Sequence, residues 1–169
     1  MRETTEDLDR LQRVLDDSRA AAGAHLRNAF GESNITAAEV VATFDGIVEM
    51  HLAVVTRDGA PLVAPVDGMF VHGRITFGLP ATSVRTRVLR RDPRASASFN
   101  EGSSAFIVHG TVRELAPGSV EAEEYEDLVK ELYAARYGPA WLDWFEAQQR
   151  DGPPGFAGWI EPRRLFAKT

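Results

Sequence analysis

The residues best suited to chemistry lie between Phe77 and Leu89. The run Phe77-Gly78-Leu79-Pro80-Ala81-Thr82-Ser83-Val84-Arg85-Thr86-Arg87-Val88-Leu89 reads as the end of a strand, a short loop with two hydroxyls, and a helix with arginine in its first turn. Unpaired N–H groups at a helix start point outwards, hydroxyls donate hydrogen bonds, and a guanidinium adds charge-assisted ones. Thr82, Ser83, Arg85 and Arg87 are therefore candidates to hold a phosphate. The same residues also read as a helix with Thr82 or Ser83 as a plain N-cap and its arginines in solvent.

Charge along the chain is uneven. Five arginines (Arg85, Arg87, Arg90, Arg91, Arg94) stand against one acid, Asp92, in the candidate segment. From Glu121 to Glu131 six acids stand against Lys130, which reads as a solvated helix face. The overall charge of -6 argues against a general nucleic-acid binder.

Several reaction classes lack their motif. There is no Gly-x-Ser-x-Gly elbow, no Walker-type phosphate loop and no Gly-x-Gly-x-x-Gly. His25, His51, His72 and His109 never fall at His-x-x-x-His spacing, so no metal site is expected; His51 and His109 read as strand residues and His72 as lying beside a turn. The absence of cysteine excludes disulfides and thiolate ligands. The polar, acidic opening Arg2-Glu3-Thr4-Thr5-Glu6-Asp7 lacks the apolar core of about 7–15 residues that a secretory signal needs. Nor is there an apolar run of about 18 residues to span a bilayer. The expectation is a soluble cytoplasmic protein with no membrane partner.

These residues need elements to position them. Leu8, Leu11, Val14 and Leu15 at helical spacing predict a helix over residues 5–28, and Thr36 with Glu39 is a capping-box signal for a second one ending near Asp45-Gly46. Strands are expected at Ile47–Thr56, Leu62–Asp67, Met69–His72, Arg74–Gly78, Arg94–Asn100 and Ala105–Leu115. Arg57-Asp58-Gly59-Ala60 is a hairpin turn, and Pro61 and Pro65 point to an edge or a bulge. Helices follow at Val120 to about Tyr137 and around Trp141–Gln149, and Gly158–Ala167 returns as a closing strand. Dense hairpins interrupted by one helix favour a small barrel.

Order and spacing add a resemblance. Asp58-Gly59-Ala60-Pro61-Leu62-Val63-Ala64-Pro65-Val66 is similar to the Asp-Gly-x-Pro-x-x-x-Pro-Val hairpin of the FMN-binding split barrels, the superfamily that includes pyridoxamine phosphate oxidase. Ser83-Val84-Arg85-Thr86-Arg87-Val88-Leu89-Arg90-Arg91-Asp92-Pro93 resembles their Ser-x-Lys-x-x-Asn-Leu-x-x-x-Pro phosphate segment, with Arg85 in place of the lysine. Phe106–Val112 and Ile160–Leu165 resemble their later strands. The likeness covers about residues 47–117 and 157–167.

The resemblance implies a six-stranded split β-barrel, mainly β with helices, that forms a homodimer with cofactors at the subunit interface. It implies that Ser83 and Arg85, with Thr82 beside them, hold the cofactor phosphate, that Arg87 lies nearby, and that Val63, Ala64, Pro65 and Val66 lie along the ring system through their backbone. On this scheme residues 1–46 are an N-terminal helical extension and 47–169 the barrel domain, with a helical insertion at about 119–150. That insertion either packs on the barrel or walls the ring with its aromatics. Departures from pyridoxamine phosphate oxidase itself are clear: Ala64 and Met69 stand where it has arginine and lysine, Leu79-Pro80 where it has Thr-Asn, and its Arg-x-His tail has no counterpart. The expected activity is hydride transfer to or from a small molecule with FMN as cofactor. A reductase using the deazaflavin F-420 is the alternative, and a non-enzymatic haem or cofactor binder, with a histidine as axial ligand, the reading from another class. A cofactor-free scaffold, its arginines serving the dimer contact, is a further possibility.

Overall fold

The computed structural model describes residues 2–30, 34–151 and 155–168. Three helices come first: α1 (Thr5–Ala20), α2 (Ala24–Ala29) and α3 (Ala37–Thr43). Both α1 and α3 open on capping boxes, Thr4 with Asp7 and Thr36 with Glu39, each satisfying two backbone donors reciprocally. The single helix expected over residues 5–28 is broken. The Ala22 N–H bonds back to the Arg19 carbonyl, which tightens the last turn and buries Ala22, and α2 restarts after Gly23.

Five strands follow, with one helix among them: β1 (Val48–Val55), β2 (Pro61–Val71), β3 (Arg74–Leu79), α4 (Val84–Arg91), β4 (Arg94–Glu101) and β5 (Ser104–Glu114). Two helices, α5 (Val120–Tyr137) and α6 (Ala140–Asp151), precede β6 (Phe156–Lys168). All pairings are antiparallel, and the strands close into a barrel in the order β1-β2-β3-β6-β5-β4. The two strands expected at Leu62–Asp67 and Met69–His72 are one continuous strand. Asp67-Gly68 looks like a turn in sequence, yet Gly68 stays extended between Val48 and Phe77. A Cβ at Gly68 would lie 2.9 Å from the Met50 sulfur, so glycine is there for close packing.

Alternation fills the barrel. Val48, Met50, Leu52 and Val54 of β1 are buried while Glu49, His51 and Val55 are exposed, the period-2 pattern of a strand with one wet face. Phe44, just past α3, plugs the interior, with ring centroids 5.0 Å from Phe106 and 5.3 Å from Phe99, both edge-on. Leu11 and Leu15 of α1 join the same buried cluster. A register shift between His109 and Gly110 kinks β5 against β6, and there any side chain at Gly110 would collide with the Glu161 carbonyl. A second, smaller cluster sits outside the barrel wall, where Leu128 and Val129 of α5 cover Met69 and Val71.

Candidate functional site

The pairing of β2 changes part-way along its length. β1 pairs with Pro61 to Gly68, whereas β3 pairs only with Gly68 to Val71. Residues 61–67 therefore have a strand neighbour on one side and an open edge on the other. Proline at 61 and 65 is tolerated there because an edge has no second ladder needing its N–H. Side chains alternate along the open stretch, with Pro61, Val63 and Pro65 exposed and Leu62, Ala64 and Val66 half-buried.

Helix α4 brings its first turn to this edge. Ser83 is the N-cap, its hydroxyl oxygen accepting from the Arg85 N–H at 3.2 Å. The buried Thr86 hydroxyl donates to the Pro80 carbonyl at 2.9 Å and ties the helix to the loop before it. Arg85 reaches back across the gap, its Nη1 donating to the carbonyls of Pro65 at 3.2 Å and Ala64 at 3.4 Å. A guanidinium carries five N–H donors, so Nε and Nη2 stay available, as does the Ser83 O–H. Ser83 is thus both the plain cap and a donor at the site.

The sequence candidates divide accordingly. Arg85 meets Ala64 and Pro65 of the stretch Val63–Val66, with Ser83 capping its turn and Thr82 next in the chain; Arg87 has no such bond among the described residues. Two residues further along a helix, it faces roughly 200° round from Arg85, and it is exposed. The remaining arginines are engaged elsewhere. Arg90 makes a two-pronged pair with Glu114, Arg91 donates to the Val55 carbonyl, and Arg94 grips Asp92. That grip holds the Asp92 carboxyl down at about 2. The basic segment is one candidate anion ligand and a set of structural clamps, not a continuous cationic patch.

Beyond the open stretch, Tyr133 of α5 donates its hydroxyl to Asp67. Burial, and then this bond to a carboxylate, push the Tyr133 phenol well above its ordinary value. Tyr133 stacks on Trp141 with centroids 4.7 Å apart, and Trp141 on Phe145 at 4.8 Å. The aromatics of the insertion therefore pack on the barrel wall at the end of the ledge. Surface cavities of about 360 and 500 Å³ lie elsewhere, one between α1, α2 and β6, the other beside Arg163 and Arg164; Ser83 and Arg85 line neither. The candidate site is an open ledge on the outer wall.

Among the histidines, His51 is exposed and directly opposite Pro65. His109 Nδ1 lies 2.7 Å from the Ser96 hydroxyl, and burial, with Arg163 and Arg164 nearby, lowers its pKa. Among the described residues no group of three or more His, Asp or Glu is arranged to hold a metal ion, and no helix is long and apolar enough to cross a membrane.

The overall fold is shared with solved structures. A conserved hypothetical protein, Rv2991, from Mycobacterium tuberculosis superposes with a TM-score of 0.63 at 19% identity, over 79% of this chain and 84% of that one. A putative pyridoxamine 5'-phosphate oxidase from Listeria innocua gives 0.57 at 17% identity, over 78% and 96%. The chain has the pyridoxamine phosphate oxidase-like split-barrel fold. A FAD-binding protein from Mesorhizobium loti shares the split barrel with a TM-score of 0.53 at 17% identity, over 79% and 92%. Other split barrels similar to this one include an F420 reductase and the heme storage protein HutZ from Vibrio cholerae. No family model matches the sequence, and no curated protein matches it.

Proximity in the split barrel also joins residues that the sequence alone kept apart. Asp67 with Tyr133, and His72 with Asp7 and with Glu124, are separated by 52 to 66 positions and carry no motif. The one local signal was the pair of prolines, which marked the open edge.

Proposed function

We propose that this chain binds a flavin-type cofactor on the β2 ledge and acts as an oxidoreductase on a small molecule, with FMN the first choice and the deazaflavin F-420 the alternative. One observation carries the reading: an unpaired strand edge, Pro61–Asp67, faces a helix first turn whose Ser83 and Arg85 keep free donors. Ser83, Arg85 and the neighbouring Thr82 would hold a phosphate, and the backbone of Val63–Val66 would bond the polar edge of a ring. When bound, such a cofactor supplies the hydride chemistry itself, which accounts for a site with no acid–base motif. The protein's part is to hold, orient and shield. Val63 and Val84 are 60% and 51% exposed beside the ledge, and a second copy of the chain would cover them, so the reading includes a homodimer.

The test is a titration of the purified protein with FMN and with F-420, followed by cofactor fluorescence and repeated with Arg85→Ala. Micromolar binding of one cofactor, weakened by the substitution, supports the proposal. Binding of neither, or binding that ignores Arg85, overturns it.

His51 favours a second reading, because its exposed ring lies beside Pro65 on the same face. A Soret band on adding haem, lost in His51→Ala, would replace the flavin reading with a haem-binding one.

A further inference from the structure

His72 sits where a side chain is costly. It occupies the β2–β3 turn with a φ of 53°, the left-handed region that only glycine enters freely, and Gly73 follows at 66°. Asparagine or glycine is the ordinary choice at such a turn. What histidine adds is two ring nitrogens, and both are used. Nδ1 lies 3.1 Å from Asp7 Oδ2 on α1, and Nε2 lies 3.0 Å from Glu124 Oε2 on α5.

A ring between two carboxylates can donate to both only when both nitrogens carry protons. The charged groups facing it differ by element. From α1 come Asp7 and Arg10, the latter donating to Asp7 Oδ1 at 2.8 Å and to the His72 carbonyl at 2.6 Å; from α5 comes Glu124. Asp7 is buried, and its carboxylate accepts three further hydrogen bonds, from the Thr4 N–H, the Thr4 hydroxyl and Arg10. Glu124 is exposed, and His72 is its only hydrogen-bond partner among the described residues. The two ends of the bridge are therefore unequal.

We propose that His72 is a proton-operated clasp: as the imidazolium it fastens both α1 and α5 to the β2–β3 hairpin, and on losing a proton it keeps Asp7 and releases Glu124, loosening the start of α5. The proton leaves to solvent, and nothing else changes covalently. Burial alone would lower the His72 pKa, but the hydrogen bonds to Glu124 and Asp7 and their charges outweigh it and raise it above the ordinary value. The sign follows. A group whose folded pKa is raised stabilises fully below its unfolded pKa of about 6.5 and loses that contribution as pH rises through the folded value. The clasp is shut in mild acid and opens toward alkaline pH. This inference does not depend on any cofactor.

Hydrogen exchange of the full-length protein at about pH 6 and pH 8.5, corrected for intrinsic rates, reads the clasp directly. Residues 120–128 should lose several-fold protection at the higher pH while α3 stays constant. His72→Asn, which tolerates the left-handed backbone, and Glu124→Gln should both remove that difference. In NMR titration the His72 pKa should fall in Glu124→Gln. Equal protection of α5 at both pH values in the parent protein, a pH effect that survives in His72→Asn, or an unmoved His72 pKa would each overturn the clasp.

Discussion

The two halves of β2 share one backbone, yet they have different strand neighbours, β1 for the first and β3 for the second, and meet only at Gly68. Pro61–Asp67 has an open edge, outward side chains in water and an arginine on its carbonyls. Gly68–Val71 pairs with β3, is buried throughout, and has Met69 and Val71 covered by α5. The difference teaches where function can be placed on a barrel. The buried half is fixed by packing, and a change there is felt by the whole fold; the open half keeps unpaired backbone groups that a ligand can use.

Substitutions along this strand should separate the halves. Met69→Ala in the roofed half removes a fully buried side chain from the α5 contact, and chemical denaturation should show a loss of about 2–5 kcal/mol. A loss below about 1 kcal/mol would mean that α5 does not roof the strand in solution. At the open half, Arg85→Ala should cost about 1.5–3 kcal/mol of cofactor binding, read by calorimetry, because a charged hydrogen bond disappears. Arg87→Ala is the control and should leave affinity unchanged, since it faces away. At the junction, Tyr133→Phe strips Asp67 of its phenolic donor and should lower stability by about 1–2 kcal/mol in urea melts.

Acid acts on the buried end of the strand through Asp7. Burial raises the cost of its charge, but Thr4, Arg10 and His72 donate to it and hold the carboxyl far below its ordinary value. A carboxylate with a depressed folded pKa stabilises above its unfolded pKa of about 3.9 and loses that contribution as pH falls toward the folded value. Thermal melts should therefore fall between about pH 4 and pH 2, with a shallower slope in Asp7→Asn. The smallest effect belongs to Val63→Ala. With 60% of Val63 exposed, the monomer should change by no more than about 0.5 kcal/mol. A larger loss that depended on protein concentration would show that a second subunit covers it.

Much of this frame could be read from residue order. The Thr36–Glu39 capping box, the Asp58-Gly59 turn and the alternation in β1 are local signals, and each has its counterpart in the structure. Local signals also misled. Asp67-Gly68 has the composition of a turn, but Met50 and Phe77 hold it straight, which only tertiary contact could reveal. Helix formers continue past Ala20, yet burial of Ala22 breaks the helix. In the candidate site, Ser83 and Arg85 stand out in sequence because helix-start chemistry lies within a few residues. Arg87 is grouped with them in sequence because five arginines between residues 85 and 94 look alike until the helix turns them apart. The Tyr133–Asp67 and Glu124–His72 contacts leave no trace in sequence because the partners lie more than fifty positions apart.

Four phenylalanines, at 44, 70, 99 and 106, occupy the interior of the barrel with their rings against one another. With the centre so filled, the proposed ligand has the outer wall to sit on. On that proposal, ligand preference and thermodynamic durability are written in separate sets of positions. Descendants of such a protein can exchange one small molecule for another by altering a handful of wall residues, while the packed centre remains as it was.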